Sequence, residues 1–423
     1  MAADIREREI LVYAGWTDLK GPLLMGRLYA NLIRSKEVFS FEYERDWLKG
    51  EFAFYLDPNL QMFSGRQFLP EDKANFGIFM DSAPDRWGRL LMKRREALLA
   101  RQEPRKEKTL FETDYLLGVF DEQRMGGLRF KTDAVGPWLN DNRQFATPPW
   151  ALLKELEYAS KKLEDDDITN KPDYAKWLNM LMAPGSSLGG ARPKAGVVDN
   201  KNNLWIAKFP SRYDDLNVGA WEMLAIKLAA KAGIKVSDSK MLRLSGRQDT
   251  FLSKRFDRTH SGNRIHFASA MTLLGHNDGD DYSTGVSYLD LAQIIIQSGA
   301  NVAADLEELW RRIVFNICIS NTDDHLRNHG FLLSNKGWSL SPAYDLNPVP
   351  AGTGLRLNIS ETDNALNPDL ALEVAPLFRL SKAKAEEIVK KVKAVAGKWA
   401  VEAKALGISK SQMDLMASAF SNF

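Results

Sequence analysis

An apolar helical stretch, Leu309 to Ile319 (LWRRIVFNICI), stops abruptly at the densest polar cluster of the chain, Asn321 to Asn328 (NTDDHLRN). A helix of that texture belongs in a core, so it delivers carboxylates, amides, a histidine and an arginine from the interior to one place. The chain can build such a core: 44% of its 423 residues are apolar, which suits two or three domains at roughly 150 residues each and excludes disorder as the main state. Its 57 Lys and Arg face 55 Asp and Glu, a net charge of +2. That balance is not the bulk polycation that binds nucleic acid by counterion release, so any DNA contact needs a local patch or a partner. The one cysteine, Cys318, allows no intramolecular disulfide and no multi-cysteine zinc cage, which fits a reducing compartment; the cytoplasm is the expected location. Charges in Met1 to Ile10 interrupt what a signal peptide would need, and no run of about 18 apolar residues occurs, so neither export nor membrane spanning is expected.

The N-terminal part reads as strands and turns: Glu9 to Ala14, Leu23 to Leu32, and Glu37 to Tyr43, where Val38, Ser40 and Glu42 alternate with Phe39, Phe41 and Tyr43. A helix is predicted over Ala83 to Leu99 with Pro84 in its first turn, and its basic run Lys93, Arg94, Arg95 reads as a solvated face. Pro148 to Leu163 is a second amphipathic helix. Glu164 to Pro172 is an acidic surface connection that lacks the calcium-loop spacing. Then come a strand at Leu204 to Phe209, a helix over Val218 to Ala232 closed by Gly233, strands near Met241 to Leu244 and Thr250 to Phe256, and helices to the C-terminus. A boundary falls between about residues 135 and 180.

Asp323 and Asn328 have the Asp-x-x-x-x-Asn spacing by which kinase catalytic loops place a carboxylate on the acceptor hydroxyl and an amide oxygen on magnesium. Ser341 to Asp345 (SPAYD), after strand-like Trp338 to Leu340, supplies a second carboxylate where a metal ligand would be expected. The same residues have ordinary uses: Asp323 capping a turn, Asn328 left-handed, Asp345 capping a helix. His325 and His329 are spaced as in zinc motifs, but Leu326 stands where the hydrolytic version has its Glu base. Gly185 to Lys194 (GSSLGGARPK) is a candidate phosphate cradle, with glycines for close backbone approach and Arg192 and Lys194 for charge, though it is not a P-loop. Lys208, in the apolar strand NLWIAKFP, is the candidate strand lysine, and Glu222 its candidate helix partner or a solvated charge. Gly-rich segment, strand Lys, helix Glu, Asp-x-x-x-x-Asn and second Asp occur in the order a kinase requires.

At these residues the sequence resembles the HipA family of bacterial toxin kinases, the toxin half of a type II toxin–antitoxin pair. The likeness is carried by SSLGGARPK, by KRFDR at Lys254 to Arg258, by NTDDHLRN and by SPAYDL, and further upstream by DSAPDRWG at Asp81 to Gly88 and MGGLRF at Met125 to Phe130. The resemblance implies that Asp323 is the catalytic Asp and that Asn328 and Asp345 are magnesium ligands. It places Gly189, Gly190, Ala191, Arg192, Pro193, Lys194 and Lys208 around ATP phosphates, with Lys254, Arg255, Phe256, His325, Leu326, Arg327, Asn328, Tyr344 and Asp345 also on the nucleotide side. Ser187, with Ser186 as the adjacent alternative, matches a serine whose autophosphorylation silences the kinase, as added charge beside nucleotide phosphates would.

The implied fold is α+β, bilobal and protein-kinase-like (phosphoinositide-kinase-like), with an extra β-rich N-terminal subdomain and a mostly helical C-terminal lobe. The expected division is 1–135, 136–257 and 258–423. The expectation is a serine/threonine protein kinase using ATP and Mg2+ on a cytoplasmic protein, family targets including aminoacyl-tRNA synthetases. A helix-turn-helix (HipB-like) antitoxin is the implied partner, through which operator DNA would be bound. Two other classes fit the same motifs: a nucleotide-binding pseudokinase that assists repression, and a small-molecule phosphotransferase.

Overall fold

The computed structural model describes residues 7–51, 54–165, 168–182 and 190–422. The chain forms two compact units, Met1–Arg212 with Asp257–Ala268, and Tyr213–Phe256 with Ser269–Phe423. Compactness thus keeps residues 136–212 with the N-terminal sheet, whereas the expected three-part division followed sequence texture.

In the first unit, strands β1 (Arg8–Ala14), β2 (Leu23–Ile33), β3 (Lys36–Tyr43), β4 (Arg66–Phe68) and β5 (Leu128–Lys131) form one sheet in the order β4-β3-β2-β1-β5. The alternation in β3 works as expected for Phe39, Phe41 and Tyr43, which are buried while Val38 is exposed. Ser40 is buried as well, because β4 runs beside it and pairs it with Phe68. Gly26 of β2 lies so close to β3 that a Cβ there would stand 2.3 Å from the Glu42 carbonyl oxygen, so no larger residue fits. Strands β6 (Lys194–Val198) and β7 (Leu204–Lys208) form an antiparallel hairpin that sets Lys194 opposite Lys208.

The helix expected from residue 83 begins at Arg86 and runs to Gln102. Asp85 is its N-cap, accepting from the Gly88 N–H at 2.8 Å, so Pro84 lies outside the first turn. Its basic run is not simply a solvated face: Arg94 donates to the Leu163 carbonyl, and the Arg95 guanidinium lies 4.4 Å from the Phe145 ring centre. Tertiary partners from the later helix Leu153–Leu163 and its approach used the cations that solvent would otherwise have taken.

Residues 257–268 are fastened to the first unit by buried charge. The Gly126 N–H donates to Asp257 at 2.9 Å, Arg258 donates to the Arg124 carbonyl at 2.9 Å, and Arg264 donates to the Asp121 carboxylate at 3.0 Å. Arg124, fully buried, donates to the carbonyls of Ser82, Leu116, Val119 and Leu139, which offsets the loss of water around its charge. His266 stacks on Trp16 with ring centres 4.8 Å apart.

The second unit contains the helix Val218–Ala232, closed as expected by Gly233 in a left-handed conformation (φ 92°). The β8 (Ser239–Leu242) and β9 (Thr250–Lys254) hairpin follows, and then the helices Tyr288–Ser298, Val302–Cys318 and Lys382–Ala396. A second hairpin pairs Gly337–Leu340, where Trp338 to Leu340 read as strand-like, with Gly330–Ser334, a strand within the otherwise helical stretch. Trp310, wholly buried in the Val302–Cys318 helix, donates its indole N–H to the Ala371 carbonyl at 2.9 Å, so this helix is the core element from which the polar cluster emerges. Among the described residues, no helix is long and apolar enough to cross a membrane.

Candidate active site

The core helix ends at Cys318, and Ser320 turns the chain through a left-handed conformation (φ 49°). The polar cluster then separates its two aspartates. Asp323 is exposed, whereas Asp324 is 2% exposed. One oxygen of Asp324 accepts from the Tyr288 hydroxyl at 2.6 Å, the Asn316 amide at 2.8 Å and His329 Nε2 at 2.8 Å. Burial alone would raise the Asp324 carboxyl, but the His329 ring and the donated bonds outweigh it and hold the group below the usual carboxylate range. Burial, reinforced by the Asp324 charge, pushes the Tyr288 hydroxyl well above the ordinary phenol range. Asp324 is therefore an ionised internal anchor, and its neighbour Asp323 is held at the surface by it.

Leu326–Asn328 forms one 3₁₀ turn with Leu326 buried. The Asn328 side-chain N–H donates to the Asp323 carbonyl at 3.0 Å, so of its two amide atoms the oxygen is the one that could serve as a ligand. The Tyr344 hydroxyl donates to the Arg327 carbonyl at 2.7 Å, and Phe256 lies against Tyr344 with ring centres 5.5 Å apart. Asp345 itself is left-handed (φ 57°), so it caps no helix, and the left-handed role considered for Asn328 belongs to Asp345 and Ser320 instead. Beyond it, the Asn347 N–H donates to Asn321 Oδ1 at 3.3 Å and the Val349 N–H to the Ser320 carbonyl at 3.0 Å. Asn321 in turn donates to Asn316 Oδ1 at 3.1 Å, and Asn316 donates to Asp324. The second unit thus ties the Asp345 segment and the Asp323 loop to one buried carboxylate.

The zinc alternative fits this arrangement badly. His329 is buried and bonded to Asp324, and among the described residues no group of three or more His, Cys, Asp or Glu could hold a metal. Asp345 and Asn328 would offer oxygen donors, the kind a hard cation takes.

The other predicted residues lie as follows. Lys254 is half-buried at the end of β9 and Arg255 is 3% exposed. Arg327 pairs with Asp278 at 3.5 Å, and His325 is half-buried. Glu222 is 3% exposed within its helix, which does not suit a solvated charge. In the first unit, Gly190 and Ala191 are exposed, Arg192 and Lys208 half-buried, and Pro193 and Lys194 buried. Lys194 donates to the Asp85 carboxylate at 2.6 Å and to the Gly190 carbonyl at 2.7 Å. The expectation that it meets phosphate therefore encounters an ammonium already engaged. Ser186, Ser187 and Gly189 lie outside the described residues.

Residue reasoning missed Asp324, Asn316, Asn321, Tyr288 and Asp85. A signal for two of them was present: Asn316 is the amide inside the apolar run, and Asp324 doubles an aspartate that one role already explains.

Residues 186–399 match the family model described as the HipA-like C-terminal domain, which covers this loop, the Asp345 segment and both hairpin strands bearing Lys194 and Lys208. The chain belongs to the HipA family. A Haemophilus influenzae protein named "Putative kinase" is 27% identical over 242 residues, which is 52% of this chain and 66% of that protein. The protein named serine/threonine-protein kinase toxin HipA from Shewanella oneidensis is 25% identical over 229 residues, 47% of this chain and 52% of that protein. The chain thus spans between about half and two-thirds of the length of these two relatives. A solved Shewanella oneidensis complex of HipA, HipB and operator DNA superposes with a TM-score of 0.65 at 18% identity, over 98% of this chain and 95% of that one. At that identity the likeness speaks to fold, an α+β HipA-type kinase-like fold.

Proposed function

We propose that this HipA-family chain is a serine/threonine protein kinase of the toxin type that uses ATP with Mg2+. The observation that carries the reading is the pair of adjacent aspartates: Asp324 buried with three donors, and Asp323 exposed beside it with Asn328 bonded to its carbonyl. In this reading Asp323 orients an acceptor hydroxyl and takes its proton as the hydroxyl oxygen bonds to the γ-phosphorus and the bond to the ADP oxygen breaks. Asp345 and the Asn328 amide oxygen would hold magnesium, which when bound supplies charge neutralisation on phosphate oxygens. Lys208, Arg192 and the backbone N–H groups of Gly190, Ala191, Arg192 and Lys194 would supply positive potential for the phosphates, and Phe256, Tyr344, Lys254, Arg255 and His325 to Arg327 would border the nucleotide.

The substrate would be a protein, family precedent including aminoacyl-tRNA synthetases. A helix-turn-helix antitoxin of the HipB kind would neutralise the chain and bind operator DNA for it, which accords with a net charge of +2. Phosphorylation at Ser187 or Ser186 would silence the kinase by repelling nucleotide phosphates. Purified Asp323→Asn, incubated with labelled ATP and a cell lysate, is expected to lose phosphate transfer by at least about a hundredfold. Wild-type transfer rates in that variant would overturn the assignment, and acceptance by a small alcohol but by no protein would favour the small-molecule phosphotransferase.

A further inference from the structure

The motif DSAPDRWG has no part in the phosphoryl-transfer chemistry, yet its Asp85 reaches the Gly-rich segment. Asp85 uses one oxygen to cap its own helix, at 2.8 Å from the Gly88 N–H, and the other to hold Lys194 Nζ at 2.6 Å. Both side chains are nearly sealed from solvent, at 3% and 4% exposure. From two positions further along, the Trp87 indole N–H donates to the Lys194 carbonyl at 3.1 Å. Helix start and strand start are thereby joined through backbone and side chain together.

Lys194 also closes the segment before it, since the same ammonium donates to the Gly190 carbonyl at 2.7 Å while the Phe209 N–H donates to the Pro193 carbonyl at 2.9 Å. Residues 190–194 are thus held at both ends. The register sharpens the point. Lys194 and Lys208 are directly opposite across β6 and β7, where two cations on one face repel. A sealed carboxylate on one of them removes that repulsion and gives the two lysines different jobs.

We propose that Asp85 is a positioning residue for residues 190–194 and that Lys194 is the latch through which it acts, leaving Lys208 as the strand lysine for phosphate. The proposal rests on the kinase reading for the nucleotide, and on geometry alone for the latch. Breaking a buried ion pair at one partner leaves an uncompensated charge, whereas replacing both partners does not.

The latch is tested first in the nucleotide-free chain. Asp85→Asn should speed amide hydrogen exchange at Ala191, Arg192 and Lys194 by roughly tenfold or more while exchange in the Val302–Cys318 helix stays the same. Unchanged exchange at 191–194 overturns the proposal. If Asp85→Asn does not fold, Lys194→Gln and the neutral double variant Asp85→Asn/Lys194→Gln carry the same measurement. Affinity for a fluorescent ATP analogue with magnesium then separates a latch from a phosphate contact. Each single variant should weaken binding roughly tenfold and the double variant no further, because both remove one device. Multiplying losses, to about a hundredfold in the double variant, would mean that Lys194 contacts phosphate independently and would overturn the proposal. A wild-type chain that binds no nucleotide would sink the kinase reading, and the exchange result would still decide the latch.

Discussion

Asp323 and Asp324 differ by one position and by almost everything else: one carboxylate faces water, the other accepts three hydrogen bonds in the interior. The chemistry proposed for Asp323 therefore depends on a neighbour that touches no reacting atom. Asp324→Asn should lower kcat by roughly 10- to 100-fold with little change in KM for ATP, since it disturbs how the loop is held and not what binds nucleotide; steady-state kinetics checks this, and an unchanged kcat in a folded variant would refute it. Because the Asp324 carboxyl is depressed in the folded chain, its contribution to stability is complete above the ordinary carboxylate pKa of about 4 and fades as pH falls below it. His266 acts at higher pH. Burial pushes its imidazole down to about 3, so the unfolded chain binds a proton near pH 6.5 that the folded chain refuses. Stability is accordingly full above about pH 6.5 and drops on acidification, by up to roughly 1.4 kcal/mol per pH unit from this group. Urea denaturation at pH 7.5 and 5.5 should show a larger loss for wild type than for His266→Gln, and equal losses would exclude a buried neutral ring.

Among elements, the helix Val218–Ala232 was readable in full because its apolar face, its length and its closing glycine all point the same way. Its start carries a constraint no periodicity shows: a Cβ on Gly219 would lie 2.2 Å from the Asp249 carbonyl oxygen, just ahead of β9. Gly219→Ala should push helix and hairpin apart and cost about 1–3 kcal/mol or more, seen as a lowered thermal midpoint; an unchanged midpoint would mean the approach relaxes freely. The basic run of the Arg86–Gln102 helix was misread for a related reason. Whether Arg94 and Arg95 face water or a carbonyl and a ring depends on residues some fifty to seventy positions away, and local charge counting carries no such information. Similarly, the residues proposed for the catalytic loop stand out by their spacing, while their buried support does not, since Tyr288 and Asn316 meet Asp324 only once two helices have packed.

For the molecule as a whole, the proposed chemistry predicts a cellular phenotype. Expression of the chain without an antitoxin should slow growth, and Asp345→Ala should relieve that effect; equal growth inhibition by both would mean the harm does not come from phosphate transfer. The course of the chain also shows where sequence texture runs out. Residues 257–268 leave the second unit and return to the first, where Asp257, Arg258 and Arg264 join the buried charges of Asp121 and Arg124. By itself the sequence determined the polar cluster at the end of a buried helix, the order of the chemical motifs, the strand alternation and the balance of charge, because these depend on residue type and short spacing. Only the tertiary structure decided that Asp324 is the anchor beside Asp323, that Lys194 belongs to Asp85, and that residues 257–268 go back to the N-terminal unit. Each of those rests on a hydrogen bond or ion pair between distant positions, whose strength comes from the burial that folding creates.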